Sequence, residues 1–96
     1  MEEEIRVRMP RQGEIFGVVE AMLGANKLKV RCQDNLVRIC RIPGKLRKRV
    51  WIKERDIVLV KPWTIQGEKN ADIAWRYTGT EVGVLKRRAI LKLDAI

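Results

Sequence analysis

The sequence predicts an all-β fold, a small five-stranded barrel followed by a short helix. Three observations predict it. Five segments carry strand chemistry. Turn signals separate them at roughly 8 to 12 residue spacing. The chain has 96 residues, enough for one domain with one compact core. Closing five short antiparallel strands removes the exposed edges that would invite pairing with other chains.

Residues 1–12 read as a flexible basic arm. Glu2, Glu3 and Glu4 precede Arg6, Arg8 and Arg11, and Pro10 and Gly13 close the segment. The barrel is expected over 13–77. GEIFGVVEAML (13–23) is the first strand, with Gly17 suggesting a bulge or sharp bend. The GAN turn (24–26) leads into KLKVRC (27–32). There Lys27, Lys29 and Arg31 alternate with Leu28, Val30 and Cys32, the period of a half-buried strand with a cationic outer face. QDN (33–35) supplies a hairpin turn, and LVRICRI (36–42) is the third strand, ended by Pro43-Gly44.

KLRKRVWIKERD (45–56) reads as a connection holding one helical turn and a short extended piece at Val50 to Ile52. DIVLVKPW (56–63) is a strongly apolar strand, and QGEKN (66–70) a polar loop. ADIAWRY (71–77) is the fifth strand, with Ile73, Trp75 and Tyr77 on one side. Residues 78–96 form a helical extension. Thr80 is the expected N-cap, Glu81 sits in the first turn, and Lys86, Arg87 and Arg88 suit the far end of the helix dipole. Val82, Leu85 and Ala89 share its apolar face. Strand count and the long third connection fit an OB-type barrel.

The formal net charge is +9, and it is localised. From Lys27 to Lys61 twelve cations face only Asp34, Glu54 and Asp56, so this segment carries the whole excess. A concentrated basic surface favours a polyanion such as nucleic acid. No apolar run approaches the ~20 residues of a membrane span. MEEEIRVR has acids where a secretory signal has cations, so a cytoplasmic location and no membrane contact are expected.

Catalysis finds little support. The chain has no histidine, which removes Ser-His and Cys-His arrangements and the most common neutral metal ligand. Cys32 and Cys40 lack further partners for a zinc set and read as reduced core thiols. No Walker or dinucleotide motif is present. No catalytic residue, metal or cofactor is expected.

The candidate binding surface begins on the 27–32/36–42 hairpin, the usual oligonucleotide platform of OB barrels. Lys27, Lys29 and Arg31 share it with Arg38 and Arg41. Lys45, Arg47, Lys48 and Arg49 extend it at the rim, held between a Pro-Gly turn and the apolar run Val50-Trp51-Ile52. Flanking Val50 and Ile52 favour a core position for Trp51 over stacking on a base. The platform strands carry no aromatic residue, and Trp63 beside Pro62 is the other ring open to exposure. That scarcity favours folded RNA, gripped through phosphates and shape, over a reader of single strands.

RVRMPRQGEIFGVVEAMLGANKLKVRC (6–32), IPGKLRKRVWIKERDIVLVKPW (42–63) and ADIAWRYTGTEVGVLKRRAIL (71–91) together resemble translation initiation factor 1A in its archaeal form. The GKLRKRVWI block is the most specific part. The resemblance implies an S1-like OB barrel that binds small-subunit ribosomal RNA at the A site. It implies help for initiator tRNA binding, promotion of subunit dissociation, and cooperation with other initiation factors, by a monomer. Carried over, the RNA-binding residues are Arg31, Arg38, Arg41, Lys45, Arg47, Lys48, Arg49, Trp51 and Lys53, with Arg6, Arg8 and Arg11 as the basic arm. The long acidic C-terminal tail of eukaryotic relatives has no counterpart. Competing readings are an S1-like chaperone for unstructured RNA, a module docking an acidic protein, and a small nuclease.

Overall fold

A computed structural model describes residues 7–47 and 51–88. Five strands and two helices run in the order β1 (Ile15–Gly24), β2 (Lys27–Cys32), β3 (Val37–Arg41), α1 (Gly44–Arg47), β4 (Ile57–Pro62), β5 (Asn70–Arg76) and α2 (Gly79–Arg87). The strands close into a barrel in the order β1-β2-β3-β5-β4. All pairings are antiparallel except β3 with β5, which run parallel over three residue pairs from Ile39–Asn70 to Arg41–Asp72. This is the five-stranded OB-type barrel with a short C-terminal helix that the sequence predicts.

Local chemistry explains the connections. Ala25 and Asn26 both take positive φ, 49° and 61°, which is the backbone of the two-residue turn that matches strand twist. In the next hairpin Asn35 has φ 68°, and Asp34 Oδ1 accepts from the Leu36 amide at 3.1 Å. Gly17 is not the expected bulge. It pairs in register with Cys32 and Val58, and a Cβ there would meet Val30 Cγ1 at 2.5 Å. The irregularities of β1 fall later, between Val19 and Ala21 and between Met22 and Gly24.

Two apolar clusters divide the core. The barrel interior holds Val19, Leu28, Val30, Cys32, Cys40, Ile42, Ile52, Val58, Val60, Ala71 and Ile73. The second cluster lies beneath α2 and holds Phe16, Ile57, Leu59, Tyr77 and Leu85. Strand β4 supplies both clusters, which is why it reads as a continuous apolar run. Strand β5 departs from the expected alternation. Leu59 pairs with Trp75 while Val60 pairs with Ile73, so Ala74 is an extra residue. The bulge sends Ile73 to the interior and Trp75 and Tyr77 to the outer cluster, correcting the single-sided placement of the three.

Helix α2 is capped by Thr78, not by Thr80. The Thr78 side chain accepts from the Glu81 amide, and Glu81 Oε1 accepts from the Thr78 amide at 2.9 Å. This reciprocal cap satisfies two otherwise orphaned donors. Val84 and Leu85 are buried, and Ala89 lies outside the described residues. The Tyr77 hydroxyl donates to the Arg8 carbonyl, tying the N-terminal segment to this cluster. Among the described residues no helix is long and apolar enough to cross a membrane.

Candidate nucleic-acid interface

The alternation of β2 does what its sequence implies. Leu28, Val30 and Cys32 are fully buried, while Lys27, Lys29 and Arg31 are exposed. Strand β3 continues the surface with Val37, Ile39 and Arg41 outward. Lys27 faces Arg41, Arg41 lies beside Asp72, and Asp72 faces Lys61. One row of charge therefore crosses β2, β3, β5 and β4. Arg31 pairs with Glu20 at 2.9 Å and remains half exposed.

Arg38 does not belong to that surface. It is 5% exposed and points inward with Cys40. Its Nη1 and Nη2 donate to the two oxygens of Asp34 at 3.0 and 2.8 Å, and its Nε donates to the Gly67 carbonyl. The reason is topological. The β3–β5 ladder stops at Ile39, and Arg38 bridges the gap to the loop that follows β4. The Arg38 fork holds the Asp34 carboxyl below its ordinary range. The interior thiols respond to burial, which raises Cys32 and pushes Cys40 up to about 12, so both are protonated core groups.

Lys45 is exposed on α1, which follows Arg41 after two residues. The backbone of Arg47 lies in the same helical turn, and Lys48 and Arg49 lie outside the described residues. Leu46 and Ile52 pack against the barrel interior. They are the anchors of this connection, and Trp51 is not. Trp51 is 90% exposed, against the core position expected for it. In the stretch that leads to β4, Ile52 takes the buried position and its neighbour Trp51 is left outside. Lys53 is exposed, and its amide donates to Asp56 Oδ2 at 2.9 Å. The same oxygen accepts from Arg76 Nε at 3.0 Å, pinning the turn that presents Lys53 and Arg55.

Two arm residues differ. Arg11 is exposed. Arg8 forms a fork with Glu14 at 2.7 and 3.0 Å and lies 5.7 Å from the Trp75 ring centroid. Its guanidinium is a structural clasp, not the outward cation of a basic arm. The hydrogen bonds from Arg8 lower the Glu14 carboxyl. Arg6 lies outside the described residues.

Sequence reasoning missed a groove of about 500 Å³ lined by Arg41, Lys61, Pro62, Trp63, Thr64 and Asp72. It is assembled by strand register, which no local pattern reports. A second cleft of about 380 Å³ lies between barrel and helix, with Lys53, Arg55, Arg76 and Lys86 among its walls. Among the described residues, no three His, Cys, Asp or Glu side chains are grouped to hold a metal ion. The arrangement can hold an extended polyanion against the outer barrel and its rim.

Comparison with known proteins agrees with this architecture. The sequence model for the family translation initiation factor 1A / IF-1 matches residues 3–94. The chain is 60% identical over 92 residues to translation initiation factor 1A of Methanothermobacter thermautotrophicus, spanning 96% of this chain and 93% of that protein. It is 53% identical over 93 residues to the Archaeoglobus fulgidus factor, spanning 95% of each. The crystal structure of YjeQ from Thermotoga maritima shares the fold with a TM-score of 0.56, over 68% of this chain and 23% of that one, at 19% identity. The chain thus belongs to the translation initiation factor 1A family in its archaeal form, with a role in translation initiation.

Proposed function

We propose that the protein binds small-subunit ribosomal RNA near the A site, stabilising initiator tRNA there and promoting subunit dissociation, as a non-enzymatic cytoplasmic monomer acting with other initiation factors. One observation carries this reading. Lys27, Lys29, Arg31 and Arg41 share one outer face of a closed barrel, and Lys45, Trp51 and Lys53 are exposed on the connection that follows β3. A rigid scaffold holds these cations at small entropic cost on binding. Arg47, Lys48 and Arg49 add charge to the same connection in the sequence. Arg11, and Arg6 with it, extend the proposed contact from the N-terminal side. Phosphate neutralisation supplies the affinity, and shape supplies the selection.

Arg38 and Arg8 are excluded from the proposed contact because their guanidinium groups are consumed by Asp34 and Glu14. Trp51 joins it. An exposed indole can stack on a base or insert against a groove, and it replaces the core role that the sequence suggested. The exposed Trp51 also gives some support to a chaperone of unstructured RNA. Chemical footprinting of small-subunit rRNA, with and without the protein, tests the proposal. A compact protected patch at the A site is expected; protection scattered over single-stranded loops would favour the chaperone.

A further inference from the structure

Trp63 is 40% exposed and belongs to neither apolar cluster, so core burial does not account for its position. It is nevertheless held from several sides. Its backbone amide donates to the Asn70 carbonyl at 3.0 Å. Its indole Nε1 donates to Asp72 Oδ1 at 3.0 Å. The Arg41 guanidinium carbon lies 5.6 Å from its ring centroid, and Arg41 Nε reaches the same Asp72 oxygen at 3.4 Å. Asp72 Oδ2 accepts no hydrogen bond among the described residues. Lys61, opposite Asp72, completes the wall of the groove.

We infer that this groove is a subsite for one unpaired purine nucleotide of a folded RNA, an inference that rests on the rRNA reading above. The base stacks on the fixed Trp63 ring, its amino group donates to Asp72 Oδ2, and Lys61 and Arg41 take the adjoining phosphate. The parts match that ligand. A ring held by the indole bond to Asp72, on a backbone pinned to Asn70, loses little freedom when a base covers it. A carboxylate oxygen with an open acceptor position suits an exocyclic amine. A groove of about 500 Å³ admits a single nucleotide and no duplex.

The test uses the full chain and two RNA hairpins of the same stem, one with a single bulged 2-aminopurine and one fully paired. The wild type is expected to bind the bulged hairpin more tightly, by about 5- to 150-fold, the range that stacking one base supports. The 2-aminopurine fluorescence should fall on binding, and the Trp63 indole N–H resonance should shift. Trp63→Ala should abolish the preference, and Trp63→Phe should retain part of it. Equal binding of both hairpins by the wild type, or a preference that survives in Trp63→Ala, overturns the subsite. Small-subunit binding measured on the same preparations separates the two readings. Intact subunit binding without a bulge preference removes the subsite and leaves the rRNA proposal standing.

Discussion

Arg38 and Asp34 meet as a two-bond fork, with nitrogen–oxygen distances of 3.0 and 2.8 Å, across the turn that joins β2 to β3. A third bond from the same guanidinium, to the Gly67 carbonyl, ties that turn to the loop after β4. The most basic stretch of the chain thus contains one arginine whose work is internal. Removing it should loosen the barrel and leave the outer cations in place.

Arg38→Ala is therefore expected to destabilise by about 2–3 kcal/mol, the scale of lost hydrogen bonds to charged groups. The partner carboxylate is partly solvated, which keeps the cost below that of a wholly buried broken pair. Urea unfolding followed by circular dichroism measures it. A change below about 0.5 kcal/mol, the range of ordinary surface substitutions, would mean that the fork is dispensable.

Acid should weaken the fold. Asp34 and Glu14 are both held below their ordinary values of 3.8 and 4.5 by Arg38 and Arg8. The unfolded chain then takes up these protons at higher pH than the folded one. Their stabilisation is complete above the ordinary values and is lost as pH falls through the lower folded ones. Melting temperatures measured from pH 6 down to about pH 2 should drop through that window. The double variant Asp34→Asn, Glu14→Gln should show a flatter decline.

Trp51→Ala separates binding from stability. With the ring 90% exposed, the melting temperature should hardly move, within about 0.5 kcal/mol. Affinity for small subunits should fall by about 1–3 kcal/mol if the ring stacks on RNA. A loss of several kcal/mol in stability would return Trp51 to the core position suggested by its apolar neighbours.

Gly17→Ala probes a close approach between β1 and β2. The added methyl would meet Val30 Cγ1 at 2.5 Å and the Arg31 carbonyl at 3.2 Å. Overpacking of this kind costs about 1–3 kcal/mol. Calorimetric unfolding of the variant checks it, and an unchanged melting temperature would show that β1 and β2 can part at no cost.

Much of this was legible in the chain. The cationic alternation of β2 is a local signal, fixed by a period of two, and the structure reproduces it residue by residue. Val37, Ile39 and Arg41 follow the same rule. Arg38 was illegible as a structural residue because its burial depends on Gly67, twenty-nine positions away, and on a ladder that ends at Ile39. The Ala74 bulge is likewise a property of the β4–β5 register, and it separates Ile73 from Trp75, which the alternation had placed on one face. Trp51 misled through hydrophobicity. Its neighbour Ile52 takes the interior position, and one residue of offset decides which side chain is covered. The Thr78 cap was missed in favour of Thr80, although Thr78 and Glu81 have the spacing of a reciprocal capping pair.

The most direct test of the electrostatic account is the salt dependence of small-subunit binding for the wild type and for the triple variant Lys45→Ala, Arg47→Ala, Arg49→Ala. Each phosphate contact contributes about 0.7 to 0.9 to the slope of log affinity against log salt. The wild type should show a steep negative slope, and the variant a slope shallower by about 2 to 3, with its fold intact. Equal slopes for the two proteins, or tight wild-type binding that ignores salt, would contradict it.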